Sequence, residues 1–397
     1  LSMVDRESPT FSKLGVLLGG SGLIGGSLMY FFKSKSDQKI DILAPNSKKL
    51  SLREPGDIKR YFQQFKPDFL INCAIASLDS NPKLALEVNY LGTFYLARVA
   101  LELGIPYIHI STAATLPMGE NLREEDQLPL TLSLSNYAKS KLMAELSLKH
   151  LRETQQLDYT IIRLPVVYGT HDHKIQGFHR LLYAIVSQSM PLMFTHDRVM
   201  HSYANARKLP YFVQHVLNHR EEFSGQTYHF ADPNPVLLSQ LILTIRSYLN
   251  LTVPKEIYLP YPVAKFGKSV MRFILRRMTR IGIEARMPAE LMFLENFYQT
   301  QTLSAAKLQR SSFIDPFPDE TIFTNLPDLI EYYITRWEQL NLISTFNREF
   351  FDPQKRAEEF LASPQTLLQS FHRENSEYPF LKQCALGRDA GEEPPAP

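Results

Sequence analysis

Residues 14–25 read LGVLLGGSGLIG, an apolar run from Leu14 to Leu18 followed by glycines at 19, 22 and 25. Strand, glycine turn, then helix is the order in which a backbone builds a pocket for a pyrophosphate. Glycine permits the tight turn and lets main-chain N–H groups approach phosphate oxygens, and the N-terminus of the following helix adds a favourable field. Ser21, Leu23 and Ile24 line the turn. A ligand-free turn is one rival reading. A membrane span is another, because Leu14–Phe32 is an uncharged run of 19 residues between Lys13 and Lys33. The glycines split that run into a short strand and a short helix, and nothing comparable follows, which disfavours a span. No small-residue cleavage site follows it, as a secretory signal would require.

A length of 397 residues with 44% hydrophobic content suits two domains, or one doubly wound domain with an added lobe. A net charge of +2 gives no global argument for a nucleic-acid partner. The two cysteines, Cys73 and Cys384, make neither a disulfide framework nor a paired-cysteine zinc site, so a reducing cytoplasm is the expected setting. Cys73 lies in the apolar run 69–76 and reads as a buried, inert thiol.

Working outward, apolar runs at 14–18, 39–43, 68–74, 107–111 and 159–164 read as strands, and 23–32, 57–65, 84–103 and 137–153 as the helices between them. That alternation predicts an α/β fold with a doubly wound parallel sheet covered on both faces. A nucleotide-binding domain is expected over 12–170, with part of 200–250 returning to it through a strand at 226–231 and a helix at 237–251. A smaller C-terminal substrate lobe is expected over 171–375, and a disordered tail over 376–397. Between 253 and 286 eight basic residues face two acids, Glu256 and Glu284, with Phe266, Val270, Phe273 and Ile274 interleaved. A solvated basic face is the favoured reading of that stretch; peripheral membrane contact through 261–281 is the other.

Tyr137 and Lys141 stand one helical turn apart at the start of a predicted helix. A cation beside a phenol stabilises the phenolate, so that tyrosine can exchange its proton near neutral pH. Lys139, at spacing i+2, points elsewhere. Ser111 and Thr112 end the preceding strand, at the carboxyl edge where open α/β sheets place their ligands. His171, His173 and His179 recur without suitable carboxylate or cysteine companions, so no metal is expected and they read as loop histidines.

With these motifs in order, the chain resembles the extended short-chain dehydrogenase/reductase family, also described as NAD-dependent epimerase/dehydratase-like, over roughly residues 12–250. The carriers are Gly19, Gly22 and Gly25; Asn72, Cys73 and Ala74; Val88, Asn89, Gly92 and Thr93; Ser111 and Thr112; Tyr137 and Lys141; and Arg163, Pro165, Val167, Tyr168 and Gly169. The resemblance implies a Rossmann-type sheet and hydride transfer between nicotinamide and a ketone or secondary alcohol. Tyr137 would be the acid/base, Lys141 would lower its pKa and hold the ribose, and Thr112 would orient the substrate oxygen, with Ser111 and Thr115 as alternatives for that hydroxyl. Cys73, Ala74, Asn89, Ser111, Pro165 and Val167 would border the cofactor, and Tyr168 and Arg198 the substrate. Helices 84–103 and 137–153 would form a homodimer interface.

Alanines at 113 and 114 stand where family dehydratases carry an acidic pair, which argues against water elimination. For the cofactor, Asp41 sits inside its strand, whereas Asn46, Lys48 and Lys49 occupy the exit and favour the phosphate of NADP over NAD. Residues 50–145 look like the dTDP-4-dehydrorhamnose reductase branch, and 299–316 like the 3β-hydroxysteroid dehydrogenase branch. A nucleotide-sugar epimerase and a non-catalytic NAD(P)-binding scaffold or redox-sensing regulator remain the alternatives.

Overall fold

A computed structural model describes residues 13–36, 40–76, 80–188, 192–194, 199–251, 254–280 and 293–340, with a few isolated positions besides. The chain divides into two compact units, one of Leu1–Gly177, Met200–Val236 and Thr300–Thr321, the other of Phe178–Val199, Leu237–Gln299 and Ile322–Pro397.

The first unit is built on six parallel strands: β1 (Lys13–Leu18), β2 (Ile40–Leu43), β3 (Phe69–Asn72), β4 (Tyr107–Thr112), β5 (Tyr159–Leu164) and β6 (Gln226–His229). Their order across the sheet is β6-β5-β4-β3-β1-β2. Alternation along β1 sends Leu17 to one face and Val16 and Leu18 to the other, and each face carries its own core. Leu17 packs with Leu28, Phe31 and Phe32 of α1 (Leu23–Ser34). Val16 and Leu18 pack with Ile58 and Phe62 of α2 (Pro55–Phe65), Leu96 and Ala100 of α3 (Gly92–Leu103), and Leu148 and Leu151 of α4 (Asn136–Gln155). This is the expected Rossmann-type α/β fold. β1 lies between β2 and β3, so the chain's winding reverses at the β1/β3 seam, which is where such sheets bind ligands.

The helix expected over 84–103 is interrupted. Ala85–Leu91 forms a π-helix before α3 begins, and the wider turn directs Asn89 inward, where it is buried. Gly104 ends α3 in the left-handed conformation, at φ 64°.

The second unit contains the helices Leu238–Tyr248 and Ile322–Gln339, and α5 (Tyr261–Arg280). His179, expected in a loop, lies in the helix Gly177–Gln188 and is buried; its ring stacks on Trp337, whose indole N–H donates to His179 Nε2 at 3.0 Å. Among the described residues no group of His, Cys, Asp or Glu is placed to hold a metal, and no helix is long and apolar enough to cross a membrane. The tail from 376 and Cys384 lie outside the described residues.

Candidate active site

The glycine turn is set by close packing. Gly19 has φ 82°, and a Cβ there would fall 2.7 Å from Ala74 N and from the Cys73 carbonyl carbon. A Cβ on Gly25 would fall 2.2 Å from Gly19 O, so the first turn of α1 sits directly on the loop. Gly22 differs: the nearest atom to its Cβ would be Gly19 O at 3.6 Å, an ordinary contact. It is the N-cap of α1, in extended conformation and with no side-chain capping bond, and the first turn holds no acid. The N–H groups of that turn therefore lack intrahelical acceptors and suit an anion. These features fit a dinucleotide pyrophosphate. Cys73 and Ala74 close the other side at the β3 exit, and burial pushes the Cys73 thiol up to about 12, so it stays protonated.

At the end of β2 the Ala44 methyl lies 2.9 Å from where a Gly20 Cβ would be, which brings this exit against the turn. Asn46 Oδ1 accepts from the N–H of Lys48 and of Lys49, each at 3.1 Å, and shapes the exposed loop.

α4 starts cleanly because Ser135 accepts from Ala138 N–H at 3.1 Å. One turn then sets Tyr137 and Lys141 against the end of β4. The Thr112 hydroxyl hydrogen-bonds the Tyr137 phenol and draws its pKa down, but burial dominates and holds it above the ordinary value. Lys141 is buried, and its Nζ donates to Ile110 O at 2.7 Å and lies 3.1 Å from His109 Nε2. Burial lowers its pKa to about 8, with Glu145 opposing. The expectation that the ammonium lowers the phenol's pKa thus needs correction: the described hydrogen bonds of Lys141 run into β4, and the group that pulls on Tyr137 is Thr112.

Three hydroxyls competed for one role, and their partners separate them. Ser111 Oγ donates to Glu145 Oε1, and Thr115 Oγ1 donates to the same oxygen at 3.2 Å. Thr112 alone of the three meets Tyr137. Glu145 also accepts from Gln127 Nε2 at 2.7 Å and from Arg163 Nη2 at 2.7 Å in a fully buried ion pair. Both halves of that pair anchor site elements: Glu145 follows Lys141 by one turn, and Arg163 precedes Pro165 and Val167, which are half-buried.

Other expected residues have different employment. Asn89 donates to Ser140 Oγ at 3.0 Å and accepts from Ala76 N–H at 2.8 Å, which braces α4 against the β3 loop. Tyr168, expected to line a substrate pocket, is buried and donates to Asp232 Oδ2 at 2.8 Å. The next residue, Gly169, reaches α1: a Cβ there would lie 3.4 Å from Leu23 Cδ1. Arg198 lies outside the described residues. Sequence reasoning missed His109 and the Glu145–Arg163 pair. The spacing of Glu145, four residues after Lys141, was the available signal for the pair.

Residues 16–198 match the model of the NAD dependent epimerase/dehydratase family. The methionine adenosyltransferase 2 subunit beta of Xenopus laevis is 28% identical over 177 residues, which cover 43% of this chain and 51% of that protein, so the chain spans about half the length of this relative. Among solved structures, the dTDP-4-dehydrorhamnose reductase of Bacillus anthracis, in complex with NADP, has a TM-score of 0.57 at 16% identity, over 81% of this chain and 99% of that one. The UDP-glucose 4-epimerase of Thermus thermophilus, in complex with NAD, gives 0.55 at 15% identity, over 81% and 98%. At these identities the structures share the fold.

Proposed function

Because residues 16–198 match the model of the NAD dependent epimerase/dehydratase family, we propose that the chain is an NAD(P)-dependent oxidoreductase acting on a ketone or secondary alcohol of the nucleotide-sugar class. The observation that carries this reading is the Thr112–Tyr137 hydroxyl pair at the carboxyl edge of β4, with Lys141 one turn beyond. The first-turn N–H groups of α1 would hold the pyrophosphate, Lys141 would reach the nicotinamide ribose, and Asn46 with Lys48 would favour NADP. When bound, the nicotinamide supplies or accepts the hydride.

The chain's own part is alignment and proton transfer. Burial keeps the Tyr137 proton in place at neutral pH, which suits donation to a carbonyl oxygen as it gains charge. Thr112 holds the same oxygen in line with that phenol. Reduction of a ketone is therefore the favoured direction. Ala113 and Ala114 offer no acid or base for dehydration. Homodimer formation through α3 and α4 is part of the proposal, and Leu146, exposed on α4, supports it.

A second reading has one observation in its favour, the relative named as a subunit of a different enzyme. On that reading the site binds cofactor and does not turn over. The test is NADPH and NADH oxidation with a panel of nucleotide-linked keto sugars, comparing wild type with Tyr137→Phe. Turnover lost in the variant, with NADPH binding retained, supports the enzyme. Equal binding and no turnover by either protein sinks it in favour of the binding subunit.

A further inference from the structure

Helix α5 carries six basic residues and no acid across its 20 residues, which is about 30 Å of helix. Its inner side is fixed: Ala264 is 4% exposed, and Lys268 donates to Glu295 of the helix Leu294–Tyr298. A helix of a water-soluble domain turns its apolar stripe toward that inner side. α5 does the opposite. Val263, Phe266, Val270, Phe273 and Ile274 are 55%, 71%, 41%, 59% and 43% exposed. Their spacing of three, four, three and one places them on a single stripe about 100° wide. Positions 265, 272, 276 and 280 lie along one flank of it. Arg277 falls within the stripe, with its guanidinium 5.3 Å from the Phe273 ring centroid.

We propose that this stripe seats on an anionic lipid bilayer, with α5 lying in the plane of the interface. Phenylalanines at the centre and cations at the flank are what such a surface takes: rings enter the headgroup boundary while basic side chains meet the phosphates. Lys268 is already paired with Glu295, which leaves Lys265, Arg272 and Arg277 among the described side chains for the lipid. The same charge disfavours a second copy as the occupant, since a symmetric pairing of two α5 helices would bring those cations together. Nucleic acid would satisfy the cations and leave the aliphatic Val263, Val270 and Ile274 in water. The helix lies on the bilayer and does not span it, because its charged residues forbid a span.

The experiment is sedimentation of the full chain with vesicles of phosphatidylcholine alone or of phosphatidylcholine with phosphatidylglycerol in equal parts. Binding is expected to the second and not the first, with release in about 0.5 M salt as the charges are screened. Phe266→Ser with Phe273→Ser, and separately Lys265→Gln with Arg272→Gln, should each weaken binding by roughly tenfold or more. Their thermal midpoints should stay at the wild-type value. Equal binding to both vesicles, or to neither, overturns the proposal, as do variants that bind like wild type. A concentration-dependent dimer abolished by the phenylalanine changes would assign the stripe to a second copy. A lowered midpoint in those variants would assign it to the protein's own core.

Discussion

Lys141 Nζ and His109 Nε2 lie 3.1 Å apart inside the first unit, and both side chains are buried. Two cations cannot share that distance. Burial, and next the Lys141 charge, hold the His109 pKa well below its ordinary value, so the ring is neutral and its Nε2 accepts from the ammonium. The tautomer that allows this carries its proton on Nδ1, toward the Tyr107 hydroxyl at 3.4 Å, which in turn accepts from Asn72 Nδ2 at 3.0 Å. His109 therefore positions Lys141 from below, and β4 holds the ammonium at both ends of one side chain's reach.

Replacing that acceptor should be felt at Lys141. His109→Leu leaves a buried ammonium with one partner fewer, at a cost of about 1–3 kcal/mol in urea denaturation. It should also move the basic limb of the pH–rate profile to lower pH, because the charged amine is less well solvated. His109→Gln, which can keep an acceptor there, should recover most of both. An unchanged profile in His109→Leu would remove the positioning role.

Lys141 also predicts a dependence of stability on pH. Its folded pKa of about 8 lies below the ordinary lysine value, so between those limits the unfolded chain binds the extra proton. Stability from this group therefore rises with pH above about 8 and is lost as pH falls through that value, with a span of up to about 3 kcal/mol. The difference in urea midpoint between wild type and Lys141→Met, followed from pH 7 to 10, reads that slope directly.

The two turn glycines should separate folding from binding. Gly25→Ala forces a methyl to 2.2 Å from Gly19 O, and its thermal midpoint should fall. Gly22→Ala meets nothing nearer than 3.6 Å and should melt like wild type, yet it adds a methyl at the N-cap, beside the N–H groups proposed to hold the phosphates. Loss of NADPH binding by roughly tenfold or more is expected there, measured by fluorescence titration. Normal binding by Gly22→Ala would mean that the phosphates lie elsewhere.

Glu145 and Arg163 join α4 to β5 through a pair that no water reaches. Breaking one side leaves an uncompensated buried charge, so Arg163→Met should cost about 3–5 kcal/mol by denaturation. The double change Glu145→Leu with Arg163→Met should cost less than the single one. Ser111 loses its acceptor with Glu145, while Thr115 keeps its bond to the Thr112 carbonyl at 2.9 Å, and cofactor oxidation should report the disturbance through Thr112 between them.

The sheet and the turn were legible because each is written locally. Strand runs, the glycine that ends α3 and the glycine spacing of the turn each specify their own backbone, and they agree with one another. What escaped were partners distant in sequence. Nothing local to Tyr168 says that Asp232, 64 residues on, will take its hydroxyl, with burial holding the carboxyl near 6. Nothing around Ala85–Leu91 announces a π-helix, whose wider turn follows from where Asn89 must reach. Likewise Ser111 and Thr115 look as able as Thr112 until Glu145 folds against them.

Asp41 was weighed as a ribose ligand, and its position in the sheet gives it another consequence. Among the described residues β2 is the last strand on its side, four residues long, with Asp41 exposed at its second position. An outermost strand offers unpaired amides and carbonyls to any extended chain that drifts alongside, and a charge in its middle makes that addition costly. A carboxylate at that position makes such an addition costlier than an apolar side chain would.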